Sequence, residues 1–182
     1  MTTALQTFSG TFLSDPIHSS FQFSLTHMQI GTFRASFGSF EARAEVGEAD
    51  LRMEGTVRAD SISITDPPEF REHVVNGADF FDAANHPEIT FRSVDVSLAD
   101  DGTFTAQGEL TIRGITKAVA ASGTHQPLVE DPFGSRRTAI GLHATLDRRD
   151  WGMDWQMPLP NGGDALGYEV TLDVHVELVE QR

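Results

Sequence analysis

The chain contains no cysteine. That excludes disulfides, thiolate nucleophiles and cysteine-held zinc or iron–sulfur centres. Positive charge is also scarce, with 13 Lys and Arg against 27 Asp and Glu and a formal net charge of −14. Such a field repels phosphate backbones and anionic lipid surfaces, so nucleic acid is not an expected partner. No run approaches the ~18–20 apolar residues of a membrane-spanning helix, and an integral membrane protein is not expected. Residues 1–10 carry neither the basic nor the apolar segment of a secretory leader. The expected location is cytoplasmic, or periplasmic or secreted only if a leader was removed.

Signatures of chemistry are missing too. The histidines are His18, His27, His73, His86, His125, His143 and His175, and no two of them form a spaced ligand motif such as H-E-x-x-H. No nucleophile elbow, P-loop or dinucleotide fingerprint is present. No metal and no cofactor is expected. Among the aromatics, Tyr (1) and Trp (2) are rare beside 13 Phe. Phe supplies bulky apolar surface with no polar tip to satisfy, which suits a greasy interior better than a sugar or nucleotide surface.

What is present is a fold-long alternation. The 182 residues are 39% hydrophobic and 22% charged, the composition of one folded domain spanning 1–182. Ile17, Ser19, Phe21, Phe23 and Leu25 share one face of 17–27. Phe104, Ala106, Gly108, Leu110 and Ile112 do so in 103–113, and Ile140, Leu142, Ala144 and Leu146 in 138–146. The cleanest run places Leu166, Tyr168, Val170, Leu172, Val174, Val176 and Leu178 opposite polar neighbours. Strands with one dry and one wet face are the antiparallel habit. Parity switches at Gly38-Ser39, and again between Ile89/Phe91 and Val94/Val96/Leu98. Inserted residues that keep the apolar face inward are β-bulges, which bend long strands. About eight strands are predicted, at 8–14, 17–27, 32–46, 50–63, 88–99, 103–113, 115–125 with 138–147, and 166–179. Closure into an all-β, eight-stranded antiparallel barrel removes the exposed edges of so much sheet.

Two segments break the pattern. Asp66-Pro67-Pro68-Glu69 predicts a helix start, with Asp66 as N-cap, Pro67 at the first helical position and Glu69 completing a capping box, over an insertion of about 67–84. Residues 148–165 form a long loop rich in Trp and Met (Trp151, Met153, Trp155, Met157), and a loop that apolar must cover something. An eight-stranded barrel is either filled by its own side chains or holds one ligand. Small inward residues at Ala35, Gly55, Ala59, Ala106, Gly108 and Ala144 and the apolar loops favour a cavity. Trp151 and Trp155 are read equally as a plug or a lid. His27 ends the Phe21–Leu25 face, where it is a structural histidine or a contact for a ligand head group.

Several motifs resemble the YceI-like, polyisoprenoid-binding family. They are Asp15-Pro16-Ile17-His18-Ser19 with Phe21-Gln22-Phe23 and His27, Gly31-Thr32-Phe33, Ser61-Ile62-Ser63-Ile64-Thr65, Asp79-Phe80-Phe81-Asp82, Pro87 to Ser93, Gly108 to Lys117, and Arg148-Arg149-Asp150-Trp151-Gly152. Trp151 stands where that family usually has Phe. The resemblance implies a lipocalin-like barrel, often a homodimer, whose bore takes a long isoprenoid or similar lipid tail without chemistry. Carried onto this sequence, it implies a wall of Phe21, Phe23, Leu25, Phe33, Phe37, Phe91, Leu110, Ile112, Ile140, Leu142 and Leu172. Phe70, Val74, Phe81, Trp151 and Trp155 would close it, with His27 near its end. Two rival expectations stand beside this one: an enzyme acting on a lipid inside the barrel through His27 or Asp150, and a filled barrel serving structure or interaction.

Overall fold

The computed structural model describes residues 9–47 and 50–181. Within them lie β1 (Gly10–Ser14), β2 (Ser20–His27), β3 (Gly31–Phe37), β4 (Phe40–Val46), β5 (Leu51–Arg58), α1 (Pro68–Asn76), β6 (Glu88–Leu98), β7 (Thr103–Ile112), β8 (Ile115–His125), β9 (Val129–Glu130), β10 (Arg136–Asp147) and β11 (Leu166–Glu180). All the pairings are antiparallel. They close a ring of eight positions, running β11–β1–β4–β5–β6–β7–β8–β10 and back to β11. Residue 8, the expected start of the first strand, lies outside the described residues.

The ring is assembled differently from the sequence expectation. β1 and β2 share one edge of β11, β1 against 178–180 and β2 against 166–175. The turn between them leaves Ile17 85% exposed instead of inward. The segments 115–125 and 138–147, expected as one position, are two neighbouring strands paired between Ile140–His143 and Ser122–His125. One merger and one division leave eight.

The parity switch at Gly38-Ser39 separates β3 from β4. Beyond it, β5 stops at Arg58 rather than at 63, and the edge of β3 is taken by 61–63 through Gly38 N–H to the Ser61 carbonyl (3.0 Å) and Ser63 N–H to the Ser36 carbonyl (2.8 Å). The chain leaves the ring there, so the 59–87 insertion lies across that end of the barrel. The switch in β6 is a bulge between Ser93 and Asp95, and its extra residue, Val94, points outward. The alternation had placed Val94 inside. β11 has a similar irregularity between Leu166 and Val170, which takes Tyr168 off the inner face.

α1 begins at Pro68, with Pro67 as an extended N-cap residue (ψ 154°) that makes no side-chain cap bond. The predicted Asp66 capping box is not formed. A residue before proline is driven out of the helical region, so Pro68 prevents Pro67 from opening the helix. The helix buries Val74 and Val75, and a following turn is fixed by Phe81 N–H to the Val74 carbonyl and Ala83 N–H to the Val75 carbonyl. No helix among the described residues is long and apolar enough to cross a membrane.

Candidate functional site

The inner face divides into two ends. At one, Phe12, Leu51, Met53, Phe104, Ile140, Val174, Val176 and Leu178 form a closed core, with Phe12 and Phe104 wholly buried. At the other, the same alternation surrounds a cavity of about 280 Å³. β2 contributes Phe21, Phe23, Leu25 and His27, and β3 contributes Phe33 and Phe37. Ile89, Leu110, Ile112, Leu146, Leu166, Val170 and Leu172 complete the barrel wall. The insertion roofs it with Ile64, Phe70, Val74, Phe80 and Phe81, and the loop before β11 adds Arg148, Trp151, Met153, Trp155, Met157 and Ala165. Met28, in the β2–β3 turn, also touches the space. His27, Met28, Phe70 and Met157 are exposed as well as lining, so they mark the mouth.

The rings hold one another in tilted and edge-to-face pairs, the arrangement their quadrupoles favour. Phe23 lies 5.6 Å from Phe37, Phe37 lies 5.7 Å from Phe81, and Phe33 lies 6.4 Å from Phe70. Trp155 stacks on Phe80 at 5.5 Å, and both contact the His73 ring, whose Nε2 meets Asp79 at 3.0 Å. Trp151 is fixed wall: it is buried and its indole N–H donates to the Leu110 carbonyl at 3.2 Å.

Two arginines anchor the covering segments. Arg148 is 4% exposed and donates to the carbonyls of Gly167 (2.9 Å), Met153 (2.5 Å), Trp155 (2.8 Å) and Leu166 (3.4 Å). Burial lowers its pKa from the ordinary guanidinium value, but an arginine retains its charge. Its guanidinium lies 4.8 Å from the Tyr168 ring, and that of Arg149 lies 4.2 Å from the same ring. Arg113 ties both covers to the barrel, donating to the carbonyls of Trp151 and Gly152 in the loop and of Ala78 in the insertion. Arg113 (φ 52°) and Gly114 (φ 71°) form the tight β7–β8 turn that aims this side chain.

Of the residues expected on the wall or its cover, Phe21, Phe23, Leu25, His27, Phe33, Phe37, Phe70, Val74, Phe81, Leu110, Ile112, Trp151, Trp155 and Leu172 come together around the cavity. Phe91, Ile140 and Leu142 do not line it. Ile140 is a member of the closed core, and Leu142 and Phe91 pack against it. Gly108 does not leave free space either. A Cβ there would lie 2.5 Å from the Phe91 ring, so the ring occupies the room the glycine vacates. Phe80, Arg148 and Arg113 were missed: Phe80 sits in an irregular turn without period, and an arginine's reach to carbonyls has no sequence signature. Ile89, Leu166 and Val170 were within reach, since they share the inward parity of their strands.

The carboxylates lie elsewhere. Asp150 is exposed on the 3-10 turn at 148–151 and does not line the cavity. Asp15, His18 and Glu177 approach one another outside it, and Arg137 Nη1 donates to Asp15 (2.8 Å) and Glu177 (2.6 Å), filling that cluster with a cation of its own.

A family model described as the YceI-like domain matches residues 12–178. UPF0312 protein SAS2572 of Staphylococcus aureus is 28% identical over 171 residues, covering 91% of this chain and 95% of its own. Among solved structures, Burkholderia cenocepacia BcnA superposes with a TM-score of 0.71 at 19% identity, over 90% of this chain and 98% of its own. A polyisoprenoid binding domain from Saccharophagus degradans, implicated in plant cell wall breakdown, gives 0.68 at 10% identity, over 96% and 100%. Both share the barrel.

Proposed function

The chain belongs to the YceI-like family, and on that premise we propose that it binds the apolar tail of an isoprenoid-type lipid in its cavity, as a carrier or store. One observation carries this reading. Apart from His27 and Arg148, every lining side chain is hydrocarbon, aromatic or thioether, and Arg148 spends its donors on backbone carbonyls. Such a wall can bind only by removing apolar surface from water, worth roughly 25 cal/mol per Å² before the costs of association. The thioethers of Met28, Met153 and Met157 adapt to irregular chains. Recognition then falls on tail shape, with the head group left at the mouth.

The same wall argues against catalysis. General acid–base chemistry needs a carboxylate or imidazole within reach of the reacting atom. Asp150 is exposed and does not line the space, and His27 stands at its open rim. The polyisoprenoid binding domain of S. degradans supports the lipid class.

Organic extraction and mass spectrometry of the freshly purified full chain test the proposal, followed by loading of the stripped protein with farnesol. A co-purified lipid with a long apolar chain, or saturable farnesol uptake, is the expected result. A clean extract together with no uptake would overturn the proposal.

A further inference from the structure

The cavity has a floor. On β2 the lining stops at Phe21, on β7 at Leu110 and on β11 at Leu172, while the next inward residues, Gly108 and Val174, belong to the region beyond. Phe21 and Phe91 pack against both the cavity cluster and the closed core, and among the described residues no other partly buried hydrophobic side chain is shared in this way. Phe21 is braced by Phe37 at 5.7 Å and Phe40 at 6.3 Å. Phe91 lies across Gly108, where a Cβ would meet both its ring and the Arg92 carbonyl at 2.5 Å. Below them the closed core leaves a void of about 20 Å³, roughly one water's room. The lining stretch of β2 from His27 to Phe21 is seven residues, or six rises of about 20 Å in all along the strand.

From this geometry we infer that Phe21 and Phe91 form a stop that sets the longest apolar tail the protein accepts, a reading that rests on the proposal that a lipid tail occupies the cavity. A tail enters end first, because the wall offers nothing to solvate a head group. Each added isoprene unit gains burial until its end meets the Phe21 ring at the last lining position of β2, where Phe91, just outside the lining, packs against both the cavity cluster and the closed core. Further units stay in water at the mouth and gain nothing.

Both tryptophans of the chain, Trp151 and Trp155, line the cavity, so their fluorescence reports occupancy of the full-length protein directly. The probes are geraniol, farnesol, geranylgeraniol and geranylfarnesol. Affinity should climb at least about tenfold per added unit, from the burial of five more carbons, and then stop climbing within the series. In Phe91→Ala the stop should move one member later, and in Phe91→Trp one member earlier. Phe21→Leu, a milder change, should also move it later, and the circular dichroism of each variant establishes that it folds. An uninterrupted climb in the native protein, or an unmoved stop in folded Phe91→Ala and Phe21→Leu, would overturn the inference. Failure of every prenol to bind would instead overturn the lipid reading, and the stop with it.

Discussion

At the scale of single residues, the inner face carries both stability and function. Phe23 and Leu110 are 9% and 7% exposed and line the cavity. A carboxylate at either position has no partner and little water. Phe23→Asp and Leu110→Asp should each lower unfolding free energy by about 3–5 kcal/mol in urea titrations. Unchanged midpoints would mean that the faces are assigned backwards. Arg148 makes a different prediction. Arg148→Met would orphan carbonyls of Met153, Trp155 and Gly167 at about 1–3 kcal/mol for each one left buried without a donor, while the Leu166 carbonyl keeps its bond from the Gln156 amide. Arg148→Lys should rescue little, because an ammonium cannot reproduce the planar fork. Hydrogen exchange should show residues 153–167 losing protection in both variants, and retention of protection in Arg148→Met would remove the anchoring role. Nine of the positions named from the sequence lie on strands around the cavity, where period-two alternation identifies the inward face, and five more lie on the two apolar segments that interrupt it. It does not say how deep along that face the space extends, which is why Phe91, Ile140 and Leu142 were placed on the wall. Nor does it reveal that a glycine such as Gly108 is filled by a neighbour's ring.

Among elements, the bends were legible and their consequences were not. The switch at Gly38-Ser39 marks a real break, but only tertiary structure shows that 61–63 takes over the edge of β3. The β6 bulge was expected, yet Val94 was counted with the residues it separates. The helix start failed for a local reason, since two consecutive prolines move the first helical residue on by one. One inter-element tie makes a pH prediction. Arg137 joins β10 to Asp131 (2.7 Å), to Asp15 in the turn after β1 and to Glu177 on β11. Its guanidinium, and then His18, hold the Asp15 carboxyl well below the ordinary carboxylate range, and Arg137 also lowers Asp131. A carboxyl whose pKa is lower folded than unfolded contributes stability that is full above the unfolded value, ~3.9, and lost as pH falls toward the folded one. Stability should therefore drop steeply below about pH 4. Arg137→Met should be less stable at neutral pH and show a flatter acid slope. An identical slope in the variant would exclude Arg137 as its origin.

For the molecule as a whole, one closed sheet encloses two unlike interiors. The end that carries Phe12, Phe104 and Leu178 is closely packed, with room for about one water, and holds the ring together. The other is kept open by a roof and a loop that are themselves apolar. Bulk composition pointed in this direction, since Phe outnumbers the other aromatics in an acidic chain with no catalytic motif. Alternation alone cannot choose between a filled and a hollow barrel, because inward residues alternate identically in both; the two apolar segments, more than small residues such as Gly108, carry the reading of a cavity. Titration calorimetry of the full chain with farnesol at several temperatures tests the central claim most directly. One saturable site with a negative heat-capacity change, the mark of apolar burial, is the predicted result. Heats that never saturate, or saturable binding without that change in heat capacity, would contradict the account of a tail held in an apolar cavity.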